Sequence, residues 1–226
     1  MWQFSSGIQS ANLYVVYASA VMKPGFLSIV TLTLFAGMAA AQDEPGLPQL
    51  PRPVIVAKSL AGKLVKLKEG KLVPHALDPE KAIDHFLLYF SAGWSPGCKK
   101  FTPALVKFYH DAKAAGANFE IVFVSLDDSE EEMLQYTGDQ KMPWPALRFD
   151  ALDELDFVKQ AAGRGIPCLA ALDSRGLILA HSYKQRKNYT GVEAPLGEFA
   201  KLIGAPELMT SNPGKTKAPD KELLPK

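Results

Sequence analysis

The sequence predicts an α/β fold in which helices flank a mixed central sheet. Two near-continuous apolar runs, His85–Ser91 and Phe119–Leu126, are typical of strands covered on both faces. A helical segment separates them, and a strand-helix-strand alternation of this length forms a right-handed parallel unit. Two further apolar runs, Cys168–Leu172 and Leu177–His181, are joined by a turn, which predicts an antiparallel pair.

Other elements follow from local signals. Alternating apolar residues in Lys63–Val73 lie on either side of Glu69-Gly70, which predicts a β-hairpin before the first central strand, and Val54–Ala57 is a similar short apolar run. Four helices are predicted. One begins at the cap Asp127–Ser129 and continues through the acidic residues that follow it, and the others span about Ser95 to Ala115, Leu152–Ala162 and Val192–Leu202.

Composition predicts one ordinary domain and excludes an electrostatic case for nucleic-acid binding. The 226 residues are 47% apolar and 22% charged, which suits a single core. The formal net charge is only +1, so the basic excess of nucleic-acid-binding domains is missing. We therefore expect a monomer with one folded domain over 54–204 and a solvated tail over 205–226.

The first 53 residues predict processing and a linker instead of folded structure. Residues 22–41 start at Met22 with one lysine, continue with an apolar run and end in small residues, the pattern of a secretory signal peptide. Residues 1–21 are a leader of doubtful status, because Met22 would give a conventional start, and 42–53 is a proline-rich linker. We therefore expect an exported protein, periplasmic or secreted, with no membrane span after cleavage; an uncleaved membrane anchor is the alternative.

The candidate chemistry lies in Tyr89–Tyr109, YFSAGWSPGCKKFTPALVKFY, where a strand enters a turn and a helix leaves it. A thiol in the first turn of a helix is acidified by unpaired backbone N–H groups and the helix dipole. Ser95 stands there with a hydroxyl that stays un-ionised, and no histidine beside it in sequence can act as its base. Because serine is a favoured N-cap, Ser95 is predicted to cap the helix through the N–H of Gly97 or Cys98, with catalysis as the alternative.

The same stretch resembles the thioredoxin-like proteins of the tryparedoxin and nucleoredoxin type. Their signature is YFSAxWCPPC followed by a helix with FTP and FY, and the matching residues are Tyr89–Ala92, Trp94, Pro96, Cys98, Phe101–Pro103 and Phe108–Tyr109. The resemblance implies a thioredoxin-like fold over about Leu64–Leu202 and a relation to thiol-disulfide oxidoreductases. Two positions depart from the signature: Gly97 replaces a proline, and Ser95 replaces the first cysteine, which leaves a degenerate SxxC.

Two more loops carry the resemblance. Lys141–Leu147 is similar to the MPW loop that lies against the reactive turn in tryparedoxin-like proteins, so Trp144 either shapes a substrate surface or anchors the core. Gly163–Cys168 is similar to the Gly-Ile-Pro-Thr loop of thioredoxin-like folds, which implies a cis Pro167 facing the turn and Cys168 in the threonine position. The binding groove implied by these loops is lined by Trp94, Pro96, Gly97, Trp144, Ile166 and Pro167.

The resemblance leaves two hypotheses for function. In ordinary members the first cysteine attacks a substrate disulfide and the second resolves the mixed disulfide. Here Cys98 keeps the resolving position but Ser95 replaces the attacking cysteine, so ordinary two-cysteine exchange is not expected. The alternative is a non-catalytic module that holds an extended peptide in the groove by strand addition. In both, the partner is a protein or peptide, with a thiol or disulfide in the first.

The remaining open question concerns the two cysteines. If Pro167 faces the turn, Cys98 and Cys168 lie on facing segments and either pair, as a redox couple or fixed disulfide, or remain buried inert thiols. No metal or other cofactor is expected, because the four histidines show no ligand spacing with these cysteines.

Overall fold

A computed structural model describes residues 55–185 and 187–209. The elements in chain order are α1 (Val56–Leu60), β1 (Leu64–Lys68), β2 (Lys71–His75), β3 (His85–Ser91), α2 (Pro96–Ala114), β4 (Phe119–Ser125), α3 (Glu130–Asp139), β5 (Ala146–Leu147), α4 (Asp156–Ala161), β6 (Cys168–Asp173), β7 (Ile178–His181), β8 (Tyr183–Lys184), β9 (Asn188–Tyr189) and α5 (Glu193–Leu202). The predicted leader, signal peptide and linker, and most of the predicted tail, lie outside the described residues. No helix within the described ranges is long and apolar enough to cross a membrane.

Seven strands form one mixed sheet in the order β2-β1-β5-β4-β3-β6-β7. β3 and β4 are parallel over their whole length, from His85 opposite Phe119 to Ser91 opposite Ser125. β6 runs antiparallel to β3, and β7 antiparallel to β6, as the sequence predicts. β8 and β9 form a separate two-stranded hairpin.

The connections divide the helices between the two faces of the sheet. β3, β4 and β5 are parallel neighbours that follow one another in the chain, so right-handed crossovers place α2 and α3 on the same face. α5 joins them there, since the rings of Phe108 and Phe199 lie 6.4 Å apart. The connection from β5 to β6 carries α4 on the opposite face, where the carbonyl of Ala161 meets the ring of His181 from β7.

The N-terminal hairpin is confirmed, and its turn explains the register. Glu69 and Gly70 both have positive φ, 51° and 76°, which is the backbone of a tight hairpin turn whose twist matches its strands. The short apolar run at Val54–Ala57 does not extend as hairpin strand, because Val56 and Leu60 lie one helical turn apart in α1 and both are buried.

Two other boundaries differ from the sequence prediction. The helix expected over Leu152–Ala162 is split into a 3-10 turn at Leu152–Glu154 and α4, because Leu155 leaves the helical conformation with φ −122° and ψ 81°. The folded chain continues past the predicted boundary at 204 into a 3-10 turn at Pro206–Met209, and Ala205 is buried beneath it.

Candidate functional site

The turn between β3 and α2 is held by the hydroxyl of Ser95. Ser95 is extended, with φ −87° and ψ 117°, and its Oγ accepts a hydrogen bond from the backbone N–H of Cys98 at 3.1 Å. Pro96 then occupies the first helical turn, where its missing N–H costs nothing. The side chain of Ser95 is fully buried. The prediction that Ser95 caps the helix is therefore confirmed.

The neighbouring residues fix the turn against the end of β4. The indole Nε1–H of Trp94 donates to the carbonyl of Leu126 at 3.0 Å, and the N–H of Gly93 donates to Asp127 Oδ1 at 2.6 Å. A Cβ on Gly93 would lie 2.9 Å from the Cβ of Tyr136, so only glycine fits there. Burial raises the pKa of Asp127, although its hydrogen bonds act in the opposite direction.

A pocket of about 250 Å³ opens beside this turn. Four carboxylates and one ammonium line it together with the ring of Trp94; these charged residues are Lys99, Asp127, Asp128, Glu132 and Asp139. The surface next to the turn is thus predominantly acidic.

Cys98 is fully buried in the first turn of α2, above a cluster of buried hydroxyl groups. Thr102, one helical turn further on, donates its hydroxyl to the carbonyl of Cys98 at 2.8 Å. The same hydroxyl contacts Tyr89 at 2.8 Å and Tyr136 at 2.7 Å, and Ser91 contacts both tyrosines at 2.9 Å. Burial raises the pKa of Tyr89 well above its usual range and that of Tyr136 to about 12, so both phenols stay protonated at neutral pH.

The Ile166–Pro167 peptide bond is cis, as the resemblance implies. β6 begins directly after it, with Cys168 opposite Phe90 near the end of β3, so the loop and the turn share one edge of the sheet. The hydroxyl of Tyr189, from the β8-β9 hairpin, donates to the carbonyl of Pro167 at 3.1 Å and ties the hairpin to this loop.

Cys98 and Cys168 lie on opposite faces of the sheet. Residues directly opposite one another in a β-ladder point to the same face, and Tyr89, opposite Leu169, faces α2. Cys168, one residue earlier, therefore faces away from α2, towards Gly163 and His181. No disulfide joins the two buried thiols.

The surroundings of Cys168 keep it un-ionised. Burial raises its pKa to about 12. His181 lies 3.9 Å from its sulfur, but Nδ1 of that ring accepts the backbone N–H of Tyr183, so Nε2 carries the ring proton and donates it to the carbonyl of Ala161 at 2.9 Å. The histidine therefore has no lone pair with which to take the proton of Cys168.

The six residues predicted to line the groove are not equally accessible. Pro96 is exposed and Trp94 and Gly97 are half-buried, whereas Ile166 and Pro167 are buried. Trp144 is only 1% exposed and packs edge-on against the rings of Tyr89 and Tyr109. Of its two predicted roles, the structure places it in the core, because its two buried aromatic neighbours lie on β3 and α2.

Sequence reasoning missed the hydroxyl cluster and the pocket. Tyr89, Ser91 and Thr102 lie inside the matched signature, so their presence was visible, but not their mutual contacts. Tyr136 and Asp127 come from the segment after β4, and only the tertiary fold brings them against the turn.

Comparisons with known proteins place these features in a family. A thioredoxin-like family model matches residues 84–178, which include the turn and the cis-proline loop. Tryparedoxin from Trypanosoma brucei is 32% identical in a solved structure, and the match covers 66% of this chain and 94% of that one, with a TM-score of 0.47. Residues 84–178 match the thioredoxin-like family. That match, together with the mixed sheet flanked by helices, confirms the predicted thioredoxin-like fold.

The curated relatives are nucleoredoxins and tryparedoxins. Nucleoredoxin from Homo sapiens is 36% identical over 147 residues, and tryparedoxin from Trypanosoma brucei brucei is 41% identical over 88 residues. The matches cover 63% and 38% of this chain, and 32% and 59% of those proteins, so the chain spans about a third of the length of the nucleoredoxins it matches.

The prediction that the protein is exported is wrong. Most of the relatives named among its matches are nucleoredoxins, which are intracellular proteins. Export and its alternative, a membrane anchor, both rested on the composition of 22–41, and an apolar run followed by small residues does not by itself specify secretion. Those residues lie outside the described part of the chain.

Proposed function

We propose that this thioredoxin-like protein, related to thiol-disulfide oxidoreductases, carries Ser95 where its active relatives carry the attacking cysteine. The observation behind the proposal is the position of the Ser95 hydroxyl, at the start of α2 and 3.1 Å from the N–H of Cys98. A thiol there would be acidified, but a serine hydroxyl stays protonated and is used as a helix cap. Ordinary two-cysteine exchange at this turn is therefore absent.

The second thiol of the chain does not replace the missing one. Exchange requires a resolving thiol within bonding distance of the attacking sulfur. Cys168 faces α4 on the other side of the sheet, un-ionised, while Cys98 lies on the side of α2. Cys98 is thus the single thiol associated with the turn.

For the partner we propose a protein or peptide segment that carries a thiol or disulfide. The accessible parts of the turn, Pro96 with the half-buried Trp94 and Gly97, lie at the same edge of the sheet as the loop at Ile166-Pro167. A segment lying along this edge would bring its sulfur next to position 95, where the hydroxyl of Ser95 cannot form a mixed disulfide.

The test is reduction of insulin disulfides by wild type, Ser95→Cys, and Ser95→Cys combined with Cys98→Ser. We expect background rates for wild type, turnover for Ser95→Cys, and loss of that turnover in the double variant. Ser95→Thr is the matched control, because it keeps a capping hydroxyl and should stay at background. Wild-type turnover that disappears in Cys98→Ser would overturn the proposal.

A further inference from the structure

The four hydroxyls beneath Cys98 form a closed ring that the proposed function leaves unused. Going round it, the oxygens of Tyr89, Thr102, Tyr136 and Ser91 are separated by 2.8, 2.7, 2.9 and 2.9 Å. Three elements supply them, β3, α2 and α3, and all four residues are buried. Such a network in a low-dielectric interior is costly unless each member is satisfied.

The ring has fewer protons than contacts. Its four hydroxyls supply four protons, but they make four contacts within the ring and a fifth to the carbonyl of Cys98. Thr102 gives its proton to that carbonyl, which can only accept, so Thr102 is the acceptor wherever a tyrosine hydroxyl bonds to it. Ser91 donates to Tyr89, which leaves the proton of Tyr136 two acceptors, the oxygens of Thr102 and Ser91, so more than one arrangement of the ring protons satisfies the same oxygens.

The side chain of Cys98 lies on the same face of α2 as the ring member Thr102. Cys98 and Thr102 are four residues apart in α2, so their side chains share one face of the helix, with about 5–6 Å between Cβ atoms. A negative charge on the Cys98 sulfur raises the pKa of both Tyr89 and Tyr136, as expected for groups that lie near it. Because burial keeps both phenols protonated, the ring retains its dipoles when the thiol loses its proton.

We propose that the hydroxyl ring stabilises the ionised thiol of Cys98, with Tyr136 and Tyr89 as positioning residues that turn their O–H dipoles towards the sulfur. The inference rests on the proposed function in taking Cys98 as the thiol of the turn. The thiol proton leaves to solvent, and no ring member becomes charged. The ring therefore acts by orientation of dipoles, which costs little because its protons have alternative partners.

Cys168 provides a comparison within the same molecule. It is as fully buried as Cys98 and lies on the other face of the sheet from the ring, and burial raises its pKa to about 12 although hydrogen bonds from Gly163 and Ser182 act in the opposite direction. Removing a hydroxyl from the ring should therefore raise the pKa of the Cys98 thiol towards that of Cys168.

The experiment follows the ionisation of Cys98 and of Cys168 in the folded protein by the pH dependence of their separate ¹³Cβ chemical shifts, because both sulfurs are buried and a thiol reagent would report local opening instead. In Tyr136→Phe we expect the midpoint for Cys98 to rise by about one to two pH units, the equivalent of one hydrogen bond to a charged group. Tyr109→Phe is the matched control, because it removes a buried phenol of α2 that bonds Glu120 outside the ring, and it should leave the midpoint unchanged.

Ser91→Ala guards against a folding defect, since it removes a ring hydroxyl with little change of volume and should raise the midpoint in the same direction. If circular dichroism shows that Tyr136→Phe and Ser91→Ala are folded and the midpoint for Cys98 is unchanged in both, the proposed role of the ring is overturned. That failure is distinct from failure of the proposed function, which shows as insulin reduction by wild type whatever the titration midpoint of Cys98.

Discussion

Removing the hydroxyl of Ser95 should destabilise the fold, because that oxygen caps the helix that builds the turn. In Ser95→Ala the N–H of Cys98 loses its acceptor in a site without solvent access. Loss of an N-cap costs about 0.5–2 kcal/mol, and an unsatisfied buried donor costs about 1–3 kcal/mol. The two ranges describe the same lost bond, so we expect a decrease in the free energy of unfolding of about 2 kcal/mol.

The assay is urea and thermal unfolding followed by circular dichroism. For a domain of this size about 2 kcal/mol corresponds to a fall in Tm of roughly 4–8 °C. Ser129→Ala is the matched control: Ser129 caps α3 through the N–H of Glu132 at 3.2 Å, but it is half-exposed, so water can replace its oxygen. In Ser129→Ala the free energy of unfolding should therefore fall by only about 0.5–1 kcal/mol, near the lower end of the range for an N-cap. Equal stability of Ser95→Ala and wild type, or a smaller loss than in Ser129→Ala, would refute the capping role.

Two further changes test the packing around Cys168. Gly163→Ala should lower the free energy of unfolding in urea by about 1–3 kcal/mol, because its Cβ would lie 2.3 Å from the ring of Tyr183 and 2.9 Å from the sulfur of Cys168. Gly197→Ala in α5 is the control: its Cβ would meet nothing closer than 4.0 Å, so the free energy of unfolding should rise by about 0.5–1 kcal/mol. A Gly163→Ala variant more stable than Gly197→Ala would contradict the packing. Cys168 holds its proton in the folded state to about pH 12, whereas the unfolded thiol releases it near 9.0, so stability must fall as pH rises through that interval. Between about pH 9 and 10 the free energy of unfolding of wild type should fall more steeply than that of Cys168→Ala, by up to about 1.4 kcal/mol per pH unit, and parallel slopes would contradict the burial.

The sequence predicted the framework of the site well, since that framework depends on local signals. Continuous apolar runs identified β3 and β4, and a serine in a favoured N-cap position identified the start of α2. Both are read within a few residues of chain. The cis state of Pro167 came from the resemblance, because local sequence favours trans at most such bonds.

What the sequence could not predict depends on tertiary placement. β5 has two residues, too few for periodicity to show, and it is a strand only because it pairs with β1 and β4. Cys168 faces away from α2 and Cys98 because the register of the strands places Phe90 opposite Cys168. A shift of that register by one residue would turn Cys168 to the face of the sheet that α2 covers. Tyr136 joins the ring from α3, at a sequence distance of 34 residues from Thr102.

The central claim is that the turn holds one thiol and a capping hydroxyl, and the thiol count after oxidation tests it most directly. Folded wild type and Ser95→Cys are treated with oxidised glutathione, and intramolecular disulfides are mapped by mass spectrometry. We expect wild type to form none, and Ser95→Cys to form one between positions 95 and 98. An intramolecular disulfide between Cys98 and Cys168 in folded wild type would contradict the account, because it would restore a two-thiol couple across the sheet.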